Sequence, residues 1–166
     1  MDVTKLVRGQ NILVLRYSPS IKKDIIEQHQ TLIEKLGYCW YGKLGGVTSR
    51  EIISAITASD NPSILLYSKG KAFLCGVSGM GTTKPKTGYP KYYDDEYIYP
   101  SCYFKLISID PVDLCILDEL YVRSSERRLS DVLSNRCRSS SFFVSYKEIQ
   151  KIPNSLKSNE ISRSIQ

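Results

Sequence analysis

Along the chain, apolar runs of strand length alternate with segments in which isoleucine and leucine recur every three to four positions. Asn11-Ile12-Leu13-Val14-Leu15-Arg16-Tyr17 is a continuous apolar run closed by Ser18-Pro19, and it reads as a buried strand. Ile21, Ile25, Ile26, Leu32, Ile33 and Leu36 follow at helical spacing, with Ser18 or Ser20 placed to cap the helix and Gly37 to stop it. Thr48-Ser49-Arg50-Glu51 has the form of a capping box, opening a short helix with Ile52, Ile53 and Ile56 on its buried side and Asp60-Asn61-Pro62 at its end. Ser63 to Tyr67 and Ala72 to Val77 form a hairpin around Lys69-Gly70-Lys71. Ser101 to Asp110 is a further strand that Pro111 is expected to break, and Leu114 to Val122 is expected to be another short one. Ser125 is placed to cap a helix holding Leu129, Val132 and Leu133, and Phe142 to Tyr146 is the last strand. Strands cluster centrally and antiparallel neighbours dominate. The pattern predicts an α+β fold, a small curled mixed sheet or partly open barrel with two to three flanking helices.

Two stretches depart from this pattern. Gly37-Tyr38-Cys39-Trp40-Tyr41-Gly42-Lys43-Leu44-Gly45-Gly46 holds the only tryptophan, flanked by tyrosines and set among four glycines. Glycine weakens a strand interior and marks places where a ligand or another backbone comes close. The segment therefore reads either as one wall of a pocket for a flat ring, a nucleobase above all, or as a core anchor built on Trp40. The second stretch, Thr82 to Tyr99, is a loop too long to be a mere connection. It carries Lys84, Lys86 and Lys91 interleaved with Tyr89, Tyr92, Tyr93, Tyr97 and Tyr99. Disordered segments are poor in aromatics, so the loop is expected to be ordered. Lysines answer phosphates and tyrosine rings offer stacking faces, which suits a nucleic acid. Asp94-Asp95-Glu96 works against phosphate locally and is expected to hold the loop against its own lysines.

Composition adds a few constraints. With 166 residues the chain is long enough to bury a core without staples. A net charge of +6 favours an anionic partner. The five cysteines, Cys39, Cys75, Cys102, Cys115 and Cys137, show no paired C-x-x-C spacing, and four of them lie in apolar runs. They read as buried free thiols of a reducing compartment, not as a disulfide framework or zinc site. The single histidine, His29, falls in a helical pattern, and no metal or cofactor is expected. No apolar run has the length of a membrane span, and the first residues lack the apolar block of a signal peptide, so a cytoplasmic location is expected. From Pro153 onward the composition turns polar. The expected organisation is a base-binding domain over residues 1–150 and a polar tail or linker over 151–166.

Three pieces in sequence resemble the YTH and EVE branch of the PUA-like superfamily. They are Val14-Leu15-Arg16-Tyr17-Ser18 leading into a helix, Tyr38-Cys39-Trp40 directly after it, and Pro62-Ser63-Ile64-Leu65-Leu66-Tyr67-Ser68 turning into Phe73-Leu74-Cys75-Gly76-Val77. Tyr103-Phe104-Lys105-Leu106-Ile107 with Asp110-Pro111 adds a weaker match, and the resemblance spans roughly residues 11–146. It implies a PUA-like fold and a non-catalytic module that reads a modified base, such as methylated adenine, flipped from its strand into an aromatic cage. It further implies Trp40 as the first cage wall, Arg16 and Tyr17 at the pocket floor, and Tyr41 presenting its backbone to the base edge. Tyr89, Tyr92 or Tyr93 would be the second wall, where the family usually has a tryptophan. Arg136 and Arg138 fall where the family places a phosphate-binding arginine, and the residues themselves add Lys43, Lys84 and Lys86 as phosphate-binding candidates. Prokaryotic relatives of this type stand at the amino terminus of McrB-type restriction proteins, which implies an effector, nuclease or helicase partner and a role in defence against foreign DNA.

Two other functions compete with this one. A metal-dependent enzyme acting on nucleic acid would draw on Asp94, Asp95, Glu96 or Asp110 with Lys105 nearby, although no acid-x-lysine motif sits on paired strands. A protein-interaction adaptor would use the tyrosine-rich loop, since tyrosine is enriched at interfaces.

Overall fold

A computed structural model describes residues 5–18, 24–135, 137 and 139–149. Its centre is a seven-stranded mixed sheet that does not close into a barrel. The strands are β1 (Asn11–Arg16), β2 (Cys39–Lys43), β3 (Ser63–Ser68), β4 (Lys71–Gly81), β5 (Cys102–Val112), β6 (Leu120–Val122) and β7 (Ser141–Tyr146), in the order β2-β5-β4-β3-β1-β7-β6. Neighbours run antiparallel except β1 and β3, which run parallel. The helices are α1 (Ile25–Leu36), α2 (Arg50–Thr57) and α3 (Leu129–Ser134).

The apolar runs of β1 and β3 bury both faces because successive side chains point to opposite sides. Leu13, Leu15, Ile64 and Leu66 join Ile25 and Ile26 of α1 and Ile56 of α2 in one core layer. Ile12, Val14 and Leu65 join Ile116, Leu117 and Leu129 in a second layer on the other face. Gly37 ends α1 as predicted, in the left-handed conformation at φ 83°, and its N–H donates to the Ile33 carbonyl. Irregular register between Gly76 and Gly79, where β4 pairs β5, bends the sheet.

Several predicted boundaries are corrected. Ser49, not Thr48, caps α2, its Oγ accepting from the Ile52 N–H. Asp24 occupies the cap position of α1, and Ser20 and Ile21 lie outside the described residues. Pro111 does not end β5, because β2 reaches only to Leu106; past that point β5 is an edge, where a missing N–H is tolerated. Leu114–Glu119 forms a 3-10 helix and only Leu120–Val122 is strand. Arg128 stands at the cap of α3, while the Ser125 Oγ accepts from the Arg127 N–H.

Strand β2 is an edge, and the long loop covers it. The Trp40 N–H donates to the Gly88 carbonyl at 2.7 Å and the Gly42 N–H to the Tyr93 hydroxyl at 2.9 Å. The loop thus takes the place of an eighth strand and removes an open hydrogen-bonding edge. Gly42 permits the close approach: a Cβ there would lie 2.6 Å from Pro100 Cγ and 2.9 Å from the Tyr93 ring. Gly42→Ala is expected to cost about 1–3 kcal/mol through overpacking, read as a lower urea midpoint, whereas an unchanged midpoint would show that the loop does not pack there.

Candidate functional site

A cavity of about 210 Å³ opens between the end of β1 and the edge strand β2. Leu15, Arg16, Tyr17 and Ser18 form one side, and the stretch Tyr41 to Gly45 forms another. Ile25 of α1, Tyr92 and Tyr93 of the loop, and Ser140 complete it. Strands β1 and β2 stand four places apart in the sheet, so the curl of the sheet is what brings them to one cavity. The volume lies below the roughly 300–1,000 Å³ of sites for drug-sized ligands, leaving room for a single ring system.

Four tyrosines surround this space. Tyr41 is buried on β2, and its ring lies 5.1 Å from that of His29. Tyr92 and Tyr93 stack at 4.3 Å and both meet His29 edge-on. Tyr17 packs against Phe73 at 6.4 Å. Burial raises the pKa values of Tyr41, Tyr92 and Tyr93 well above the usual phenol value, so all three stay protonated. The Tyr92 hydroxyl is buried beside that of Tyr93 and is closed off from solvent.

Two cations and no acid line the cavity. Arg16 donates to the carbonyls of Cys137 at 2.7 Å and Ser139 at 3.3 Å. Lys43, only 4% exposed, donates to the Gly46 carbonyl. All these acceptors are neutral, so they orient the two cations without cancelling their charge.

His29 fixes the loop wall. It is fully buried, and its Nδ1 lies 2.7 Å from the Ile25 carbonyl. That nitrogen must carry the proton, so Nε2 is an acceptor and the Tyr93 hydroxyl, 3.2 Å away, donates to it. The same hydroxyl accepts from Gly42 N–H. Helix, loop and edge strand are thereby joined through one phenol. Burial lowers the imidazole to about pKa 4.

The predicted site residues divide. Arg16, Tyr17, Tyr41, Lys43, Tyr92 and Tyr93 meet at the cavity. Trp40 does not line it: alternation along β2 turns the half-buried indole to the side opposite Tyr41, so the tyrosine supplies the ring expected from the tryptophan. Tyr89 is also outside, donating to Asp94 Oδ1 at 2.8 Å. Lys84 pairs with the same oxygen at 2.6 Å and donates to the Tyr93 carbonyl, so its charge braces the loop and does not face the cavity. Lys86 is exposed away from the lining, and Arg136 and Arg138 lie outside the described residues. Of the cysteines read as buried, Cys39, Cys75 and Cys102 are buried, but Cys115 is exposed. Among the described residues no cluster of histidine, cysteine or acidic side chains is arranged to hold a metal, and no helix is long and apolar enough to cross a membrane. His29 escaped sequence reasoning, although its spacing from Ile25 and Ile33 on the apolar stripe of α1 was a signal for a buried, bonded ring.

No model of a known protein family matches the chain, and neither a curated protein nor a solved structure does.

The imidazole gives a pH test. Its folded pKa lies below the unfolded value, so between about pH 6.5 and 4 the unfolded chain binds the extra proton and stability falls as pH falls. The loss is expected to reach about 3 kcal/mol near pH 4. In chemical denaturation series, His29→Gln should flatten this part of the profile; an identical slope in both proteins would refute the assignment. Tyr93→Phe strands Gly42 N–H and His29 Nε2, and should cost about 1–3 kcal/mol at neutral pH.

Proposed function

We propose that the chain is a non-catalytic nucleic-acid-binding module that reads a modified, flipped-out base. The observation that carries this reading is the composition of one cavity: four tyrosines, two cations, no acid and space for a single ring. Stacking on an aromatic side chain contributes roughly 1–3 kcal/mol per base, and unstacking a base from its strand costs a few kcal/mol. Rings alone therefore leave little surplus, and charge contacts at Arg16 and Lys43 supply the remainder. A methyl group filling an apolar corner adds roughly 0.8 kcal/mol, which makes modification a modest but usable discriminator.

Two of the acids considered for an enzyme are engaged away from the cavity. Asp94 is held by Lys84 and Tyr89, Asp95 Oδ1 accepts from the Tyr97 N–H, and neither lines the cavity. These contacts favour a binding role over a catalytic one. The arrangement also fits the PUA-like reading, with Tyr41 in the place assigned to Trp40.

Titration with short oligonucleotides, with and without methylated adenine or cytosine, tests the reading. A modified strand should bind more tightly than its plain counterpart, and equal affinities would defeat the proposal. Tyr41→Ala should abolish the preference and Trp40→Ala should retain it.

A further inference from the structure

The cavity continues beyond Ser140. A second hollow shares Lys43 and Ser140 with it and extends past Ser139, Ser141 and Phe143. A third shares Ile52, Ser139, Ser141 and Phe143 with the second and reaches Arg123 and Arg127. The shared residues make the three one groove. Every charged side chain among the described residues lining it is a cation: Arg16 and Lys43 at the cavity end, Arg123 and Arg127 at the far end. Between them the lining is hydroxyl-rich, with the Ser139-Ser140-Ser141 run at its middle. That run has no part in the base-reading chemistry above, apart from Ser140.

The far cations are held in place. The turn after β6 is closed by Val122 N–H donating to the Arg127 carbonyl at 2.8 Å and Glu126 N–H donating to the Val122 carbonyl at 2.7 Å. Arg123 donates its own N–H to the Phe143 carbonyl, and its guanidinium carbon stands 5.8 Å from the Phe143 ring centre. A guanidinium over a ring keeps N–H donors at its edge for phosphate oxygens. Hydroxyls and backbone-anchored arginines are groups that track a phosphate backbone, and Phe143 and Ile52 offer apolar contact to bases or sugars.

We propose that this groove carries the single-stranded phosphodiester chain flanking the bound base, with Arg123 and Arg127 neutralising phosphates away from the cavity. The proposal rests on the base-reading function above. A peptide rich in acids would meet the same cations. The regular backbone charge of a nucleic acid strand, entering a groove that ends in a one-ring aromatic cavity, fits the whole length better.

The experiment is fluorescence anisotropy with the full chain and 12-nucleotide probes, one DNA arm and one RNA arm, each plain and with methylated adenine or cytosine, across a salt series. Each phosphate neutralised on a single strand contributes roughly 0.7 to the slope of log affinity against log salt. Arg123→Gln with Arg127→Gln should therefore make the slope shallower by about 1.4. Arg123→Lys with Arg127→Lys should keep most of it, which separates lost charge from lost folding. An unchanged slope in the glutamine pair overturns the groove, as does stronger binding of an oligoglutamate peptide than of either probe. Tyr41→Ala serves to separate the two ideas. If it leaves discrimination between modified and plain strands intact while the glutamine pair loses its slope, the base pocket fails and the groove stands. Equal slopes for the DNA and RNA probes identify the shared backbone as the ligand; a slope change confined to one arm assigns the groove to that nucleic acid.

Discussion

The structure depends on a single buried hydrogen-bond chain: Gly42 N–H to the Tyr93 oxygen, Tyr93 O–H to His29 Nε2, and His29 Nδ1–H to the Ile25 carbonyl. It unites an edge strand, a long loop and a helix that are far apart in sequence. Polar groups in a dry interior are expensive unless matched, and here each matches the next. A neutral imidazole suits the chain because both ring nitrogens are used, one as donor and one as acceptor. The loop then has one way to lie. Tyr92, adjacent to the anchored Tyr93, is placed at the cavity as a consequence.

Electrostatics follow from the same arrangement. In the loop, Asp94 turns to Lys84 and Tyr89. That keeps this negative charge off the cavity, whose charged lining is Arg16 and Lys43, each donating to backbone carbonyls. Attraction for an anion and room for a ring therefore arise together. The curl of the sheet supplies the room, since without it β1 and β2 would be four strands apart.

Much of the fold was legible in the residues. The apolar runs located β1, β3 and β7, Gly37 marked the end of α1, and the Lys69-Gly70 turn set the hairpin. Tyrosine and lysine interleaving marked the loop as ordered and important. What stayed hidden depends on facing, which sequence gives only through alternation once a strand's register is known. Trp40 drew attention by its size, yet Tyr41, one residue on, meets the cavity. Lys84 looked like a phosphate contact until Asp94, ten residues later, was seen to hold it. Pro111 looked like a strand end because the edge position that tolerates it is a property of the sheet, not of the segment.

Because the chain has a single histidine, its imidazole can be observed without assignment ambiguity. The most direct measurement is a long-range proton–nitrogen correlation spectrum of that ring at pH 5.5. The account predicts a neutral ring protonated at Nδ1, with Nε2 as the bare nitrogen. An imidazolium at that pH, or a neutral ring protonated at Nε2, would contradict the hydrogen-bond chain and with it the placement of the tyrosine wall.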